Sequence, residues 1–244
     1  PVALDAAADD DPTDSERRHQ PDLSRTRTVE RKPVIENEFE LDPRDEGILS
    51  DVERLAEASG SWESLRGMVE SVTKGNDVDS MLTRDLNLRA AGWYRDKLGD
   101  AAAAEASLRA SLRADSESLD AHEQLIDLLR SAGRNADLIP ALRAWASADH
   151  DEEAKKDRLR EASALAQSAG DVDTASACLR QILDIDGTDA EALDALIDIR
   201  TTQEQWPDVV DLLAKRIEGE SDANTRMGLR RRLAELFAGP LDDA

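Results

Sequence analysis

Few residues in this chain could do chemistry, and their spacing does not suit it. The three histidines, His19, His122 and His150, stand far apart, and none falls in a metal-ligand spacing. The single cysteine, Cys178, allows no intrachain disulfide. Its neighbours Ala175, Leu179 and Ile182 place it on an apolar helical stripe, which predicts a buried structural thiol and not a nucleophile. No Gly-x-x-x-x-Gly-Lys loop or Gly-x-Gly-x-x-Gly fingerprint occurs, and Thr73-Lys74-Gly75 reads as a helix end. Carboxylates are abundant, with 54 Asp and Glu, but choosing two of them as an acid and a base would be arbitrary. The expectation is a protein that is not an enzyme and that needs no metal and no cofactor.

Composition narrows the fold. Apolar residues make up 40% of the 244 and aromatics only 3%, so any core is built from Leu, Ala, Val and Ile. Ala and straight-chain residues cost least in a helix. The formal net charge is −23. It repels phosphate backbones and anionic membranes, so no nucleic-acid partner is expected. The charge has two readings, solubility or a preference for basic partners. No apolar run approaches the roughly 18 residues needed to cross a bilayer, so no membrane insertion is expected. No signal peptide is visible, and a cytoplasmic location is the default, with a periplasmic one open.

Two regions differ along the chain. Residues 1–44 carry Asp9-Asp10-Asp11-Pro12, Pro21, Pro33 and Pro43 and no periodic apolar face. They read as a disordered acidic, Pro-containing tail. Within it, Val34 to Leu41 mixes apolar and acidic residues, as a docking motif or a linker would. Residues 45–244 switch to helical periodicity. Sliding 88–145 by 71 positions puts Leu88 on Leu159, Gly99-Asp100 on Gly170-Asp171, and Ala104 on Ala175. The same slide puts Leu108 on Leu179, Asp115 on Asp186, Leu125-Ile126-Asp127 on Leu196-Ile197-Asp198, and Leu142 on Leu213. No gap interrupts it, so the chain contains an internal repeat.

Each 71-residue block divides into four helices, near 85–98, 101–114, 119–132 and 135–148, then 156–169, 172–185, 190–203 and 206–218. Gly99, Gly133 and Gly170 close first helices. Short loops make neighbours antiparallel hairpins. Leu49, Val52, Ala56, Trp62, Leu65 and Val69 form an upstream hairpin, and Leu229, Leu233 and Phe237 start a last first helix before Gly239-Pro240. Either Pro240 opens a partner helix that a truncated array has lost, or this helix is the end cap; the array reads as truncated. Units fall near 46–75, 81–115, 118–150, 155–187 and 189–220, with a partial one at 225–244.

At this point the chain resembles the tetratricopeptide repeat family, whose unit is a 34-residue helix-turn-helix. A unit counted from Asp85 places Leu88, Ala91, Gly92, Gly99, Ala104, Leu108 and Ser111 at the family's packing positions. One counted from Lys156 does the same with Leu159, Ala162, Ser163, Ala166, Gly170, Ala175 and Leu179. Unit starts near 46, 85, 119, 156, 190 and 227 lie 39, 34, 37, 34 and 37 apart, and His122 stands where the family prefers a large apolar residue, so the array is divergent. The resemblance implies an all-α, right-handed α-solenoid of stacked antiparallel helix hairpins.

It also implies a concave groove lined by first helices. Carried over position by position, the groove would hold Arg89, Trp93 and Lys97 from one unit and Glu123, Asp127 and Arg130 from the next. Arg160 and Gln167, then Asp194 and Asp198, would follow. Trp93 beside Arg89 would serve as an exposed anchor, or else pack against the preceding hairpin. Arg230-Arg231-Arg232 reads as a solvated helix face. The function implied is a non-catalytic scaffold that binds a peptide or helix of a protein partner. The alternatives are a structural spacer between domains of a larger protein, or a regulatory module attached to a kinase or transcription factor.

Overall fold

The computed structural model describes residues 42–74 and 79–239. The expected tail up to residue 41, the 75–78 loop and Pro240 lie outside the described residues. Contacts divide the chain into two units, Pro1–Lys74 and Gly75–Ala244, each taken here by itself.

In the first unit, α1 (Glu46–Ser59) and α2 (Trp62–Thr73) form one hairpin. Leu49, Val52 and Ala56 on α1 and Trp62, Leu65 and Val69 on α2 are its buried residues, spaced three and four apart as a helical stripe requires. The second unit holds α3 (Ser80–Trp93), which continues into a π-helical turn, Tyr94–Leu98. It is followed by α4 (Ala101–Ala114), α5 (Leu119–Ser131), α6 (Asn135–Ala148) and α7 (Glu152–Ser168). Then come α8 (Val172–Ile185), α9 (Ala190–Thr202), α10 (Trp206–Gly219) and α11 (Ala223–Phe237). Among the described residues there is no strand.

Packing in the second unit runs between helices adjacent in sequence, as in a solenoid of antiparallel hairpins. One apolar cluster runs from Ala91 on α3 to Leu196 on α9. A smaller one, with Ile197, Val209 and Leu213, continues to Leu229, Leu233 and Leu236 on α11. The repeat-register alanines lie at the contacts: Ala104 is 1% exposed and Ala162 and Ala175 are 0%. Side chains this small let helix backbones approach closely. Cys178 is fully buried, and burial pushes its thiol pKa up, away from a reactive thiolate.

Helix starts follow a rule that the acidic composition conceals. Asp45, Asp79, Asp100, Asp151, Asp171, Asp189 and Asp222 each cap a helix, their carboxylates accepting backbone N–H groups of the first turn. Both α3 and α7 begin upstream of their expected starts: Met81 in the first turn of α3 is exposed and off the buried stripe, and the first turn of α7 is Glu152-Glu153-Ala154-Lys155.

One position of the array is packed by an aromatic-cationic pillar. His122 on α5 stacks on Trp145 of α6, with ring centroids 6.5 Å apart and planes 4° from parallel. The Arg158 guanidinium of α7 lies 3.7 Å from the centre of the Trp145 ring, a contact that attracts a cation to the π face. Asp149 holds Arg158 at 2.6 Å. His122 thereby fills the place of the large apolar residue. Its burial, foremost, keeps the imidazole pKa below its ordinary value and favours the neutral ring.

First helices end in a left-handed residue: Gly60, Gly99, Gly133 and Gly170 all have positive φ, and so does Glu204, at 56°. Glu204 stands 71 residues after Gly133 and carries a side chain where its counterpart has none. An L-residue in this conformation costs about 1–2 kcal/mol, against the 0.5–1 kcal/mol entropic cost of glycine. Glu204→Gly is therefore expected to stabilise the protein by up to about 1 kcal/mol, read as a higher urea midpoint. A lower midpoint would contradict this.

Candidate partner-binding face

First helices α3, α5, α7 and α9 carry the charged positions expected to line a groove. On α5, Glu123 and Asp127 are exposed on the side opposite Leu125, Ile126 and Leu129. Arg130 reaches Asp127 at 3.2 Å within its helix and Glu161 on α7 at 3.0 Å. On α7, Arg160 donates to Asp157 at 2.9 Å and to Asp189 at 2.6 Å, and sits 3.0 Å from Glu191. Gln167 donates to the Ser163 hydroxyl at 3.3 Å. On α9, Asp198 accepts from Arg232 of α11 at 3.1 Å, and Asp194 pairs with Arg216 of α10 at 3.2 Å.

These contacts form a row. Arg130–Glu161, Arg160–Asp189 and Asp198–Arg232 each join one first helix to the next, at sequence separations of 31, 29 and 34. Two further pairs, Arg84–Asp115 and Glu105–Arg134, repeat the step of about one unit elsewhere, at 31 and 29. Arg130, Arg160 and Asp198, expected to face a ligand, are thus engaged with neighbouring units. The signal lay in the sequence as opposite charges about one unit apart. Arg232 came from the triplet that read as a solvated face.

Arg160 is the most embedded arginine of the row. Burial works against its charge, but Asp189 and Glu191 outweigh it and hold the guanidinium pKa above its ordinary value. Its partner Asp189 is only 8% exposed and also caps α9 through the Ala192 N–H at 3.0 Å.

The α3 end differs from expectation. Trp93 is 8% exposed, so it is not the exposed anchor that the groove positions implied. Leu86, Ala90 and Trp93, spaced i, i+4 and i+7, are all buried and form an apolar ridge of their own. That spacing was legible and outweighs the groove assignment for Trp93. Arg89 is half-buried, and Lys97 is exposed on the π-helical turn.

Among the described residues, no three His, Cys, Asp or Glu side chains are grouped to hold a metal ion, and no helix is long and apolar enough to cross a membrane.

Hairpin pairing, small residues at the contact positions and left-handed closures together decide the architecture. Residues 79–239 form an all-helical array of antiparallel hairpins packed in chain order, the architecture that the tetratricopeptide resemblance implies. No family model matches the chain, and no curated protein matches its sequence. Among solved structures, a crystal structure of MamA is 16% identical, covering 67% of this chain and 91% of that one at a TM-score of 0.36. The structure of Pseudomonas aeruginosa pilF is 11% identical, covering 84% and 86% at 0.38. YrrB, a TPR protein with an unusual peptide-binding site, is 16% identical, covering 81% and 97% at 0.36.

The row yields a graded expectation. Arg160→Ala removes the closest cation from the buried Asp189, leaving it the Ala192 N–H and Lys156 at 3.9 Å, and should cost about 1–3 kcal/mol. Arg130→Ala removes pairs whose partners are exposed and should cost about 0–1 kcal/mol. Urea unfolding of the two variants checks the order. A loss for Arg130→Ala equal to or above that for Arg160→Ala would contradict it.

Proposed function

We propose that this chain is a non-catalytic protein-interaction scaffold whose first-helix face takes a peptide or helix of a partner, with basic ligands favoured. The observation that supports this reading best is on α5. Asp120 and Glu123 are exposed and, among the described residues, have no ion-pair partner, while Asp127 and Arg130 beside them are engaged. Two unmatched carboxylates between paired neighbours give a basic side chain a place to bind without breaking existing pairs. The net charge of −23 adds long-range attraction for a cationic segment. Arg89 and Lys97 on α3, with Gln167 on α7 and Asp194 and Asp198 on α9, complete the proposed face.

A second reading has its own support. Because Arg130, Arg160 and Asp198 are committed to neighbouring helices, the same face would serve as the internal bracing of a structural spacer.

Titrating the full chain with a labelled Lys/Arg-rich peptide separates the two. The scaffold reading expects saturable binding that weakens with salt and falls about tenfold or more in an Asp120→Asn, Glu123→Gln double variant of unchanged stability. Absence of saturable binding, or equal binding by the double variant, would favour the spacer.

A further inference from the structure

A cavity of about 440 Å³ opens on the other side of the array, between the second helices α8 and α10, with α9 beneath it. Its volume falls in the range of small-ligand sites, roughly 300–1,000 Å³. Leu183, Leu196 and Leu212 supply its apolar lining. Three cations, Arg180, Arg200 and Lys215, and three carboxylates, Asp184, Asp208 and Asp211, share the same walls.

Arg200 departs from the repeat. In the 71-residue register it stands where Leu129 stands, and Leu129 is 1% exposed within the core cluster. Lys215 likewise replaces Ala144. The fold therefore closes this position with leucine when nothing else is asked of it. Arg200 is nevertheless 8% exposed, and burying a guanidinium costs far more than burying leucine unless its donors are met. Nη1 donates to the Gln203 side-chain oxygen at 2.5 Å and Nε lies 3.5 Å from Asp208. No Arg200 nitrogen is both enclosed and without a partner, so its remaining donors are accessible at the cavity that it lines.

The rim repeats the pattern. Among the described residues, Arg180, Lys215, Asp184 and Asp211 form no ion pair, although charges of both signs line one cavity. They stand around an apolar floor of leucines, which complements a molecule carrying both charges on an apolar body.

We propose that this cavity binds a small zwitterion with apolar side chains, of the size of an apolar dipeptide. Its carboxylate would sit at Arg200 with Arg180 and Lys215 beside it. Its ammonium would sit among Asp184, Asp208 and Asp211, with its side chains on the three leucines. The site is separate from the first-helix face and stands or falls independently of it.

Calorimetric titration of the full chain with leucyl-leucine tests the proposal, alongside its N-acetylated and C-amidated forms, each of which lacks one charge. The expected result is one-site binding with Kd under about 1 mM, weakened about tenfold or more by either blocking group. Arg200→Leu, which restores the repeat's own residue, should abolish binding without lowering the urea midpoint. Arg180→Gln, on the exposed rim, should weaken binding at unchanged stability and keeps the test valid if the first variant unfolds. No saturation by about 10 mM, equal binding of the blocked forms, or wild-type affinity in both variants would overturn the proposal.

Discussion

A helix hairpin with one apolar stripe can hide that stripe only against another hairpin. The remaining features of the second unit follow from this constraint. Ala91, Leu108, Leu125, Leu142, Leu159, Leu179 and Leu196 belong to one apolar cluster although they come from successive helices, because each hairpin completes the burial of the one before it. Each leucine of such a seam is worth roughly 1.5–3 kcal/mol relative to exposure. The seam closes only if backbones come near, which explains why alanines 104, 162 and 175 are essentially inaccessible.

The polar features are subordinate to the seam and are arranged around it. Aspartate caps mark where α1, α3, α4, α7, α8, α9 and α11 begin, and left-handed residues close the first helices up to α9. Ion pairs between successive first helices then brace the units that the seam has already brought together. A chain of net charge −23 uses its arginines sparingly in this way, spending several of them on cross-unit contacts. Where the register is broken, at His122 and at Arg200, the break has a structural counterpart. His122 is absorbed by stacking on Trp145, whereas Arg200 lines a cavity.

Much of the fold was legible in the sequence because it depends on spacing alone. Helices 101–114, 135–148 and 172–185 were placed to the residue, since their apolar stripes and glycine or aspartate boundaries are local signals. The starts of α3 at Ser80 and α7 at Glu152 were not, because Met81 is exposed and off the α3 stripe, the opening turn of α7 is charged, and both caps are aspartates in a chain full of them. The face was less legible than the fold. Its positions followed from the repeat, but whether Arg160 or Asp198 is available depends on distances between helices. The burial of Trp93 depends on a second ridge, Leu86–Ala90–Trp93, which competes with the groove pattern on the same helix.

The shared seam is tested most directly at Ala175, which has no exposed surface and lies in the cluster common to successive hairpins. Replacing it with leucine adds volume where the helices touch. The urea-unfolding free energy of Ala175→Leu should fall by about 1–3 kcal/mol. An unchanged midpoint and slope would mean that the helices are not packed against one another at this position, and would contradict the seam.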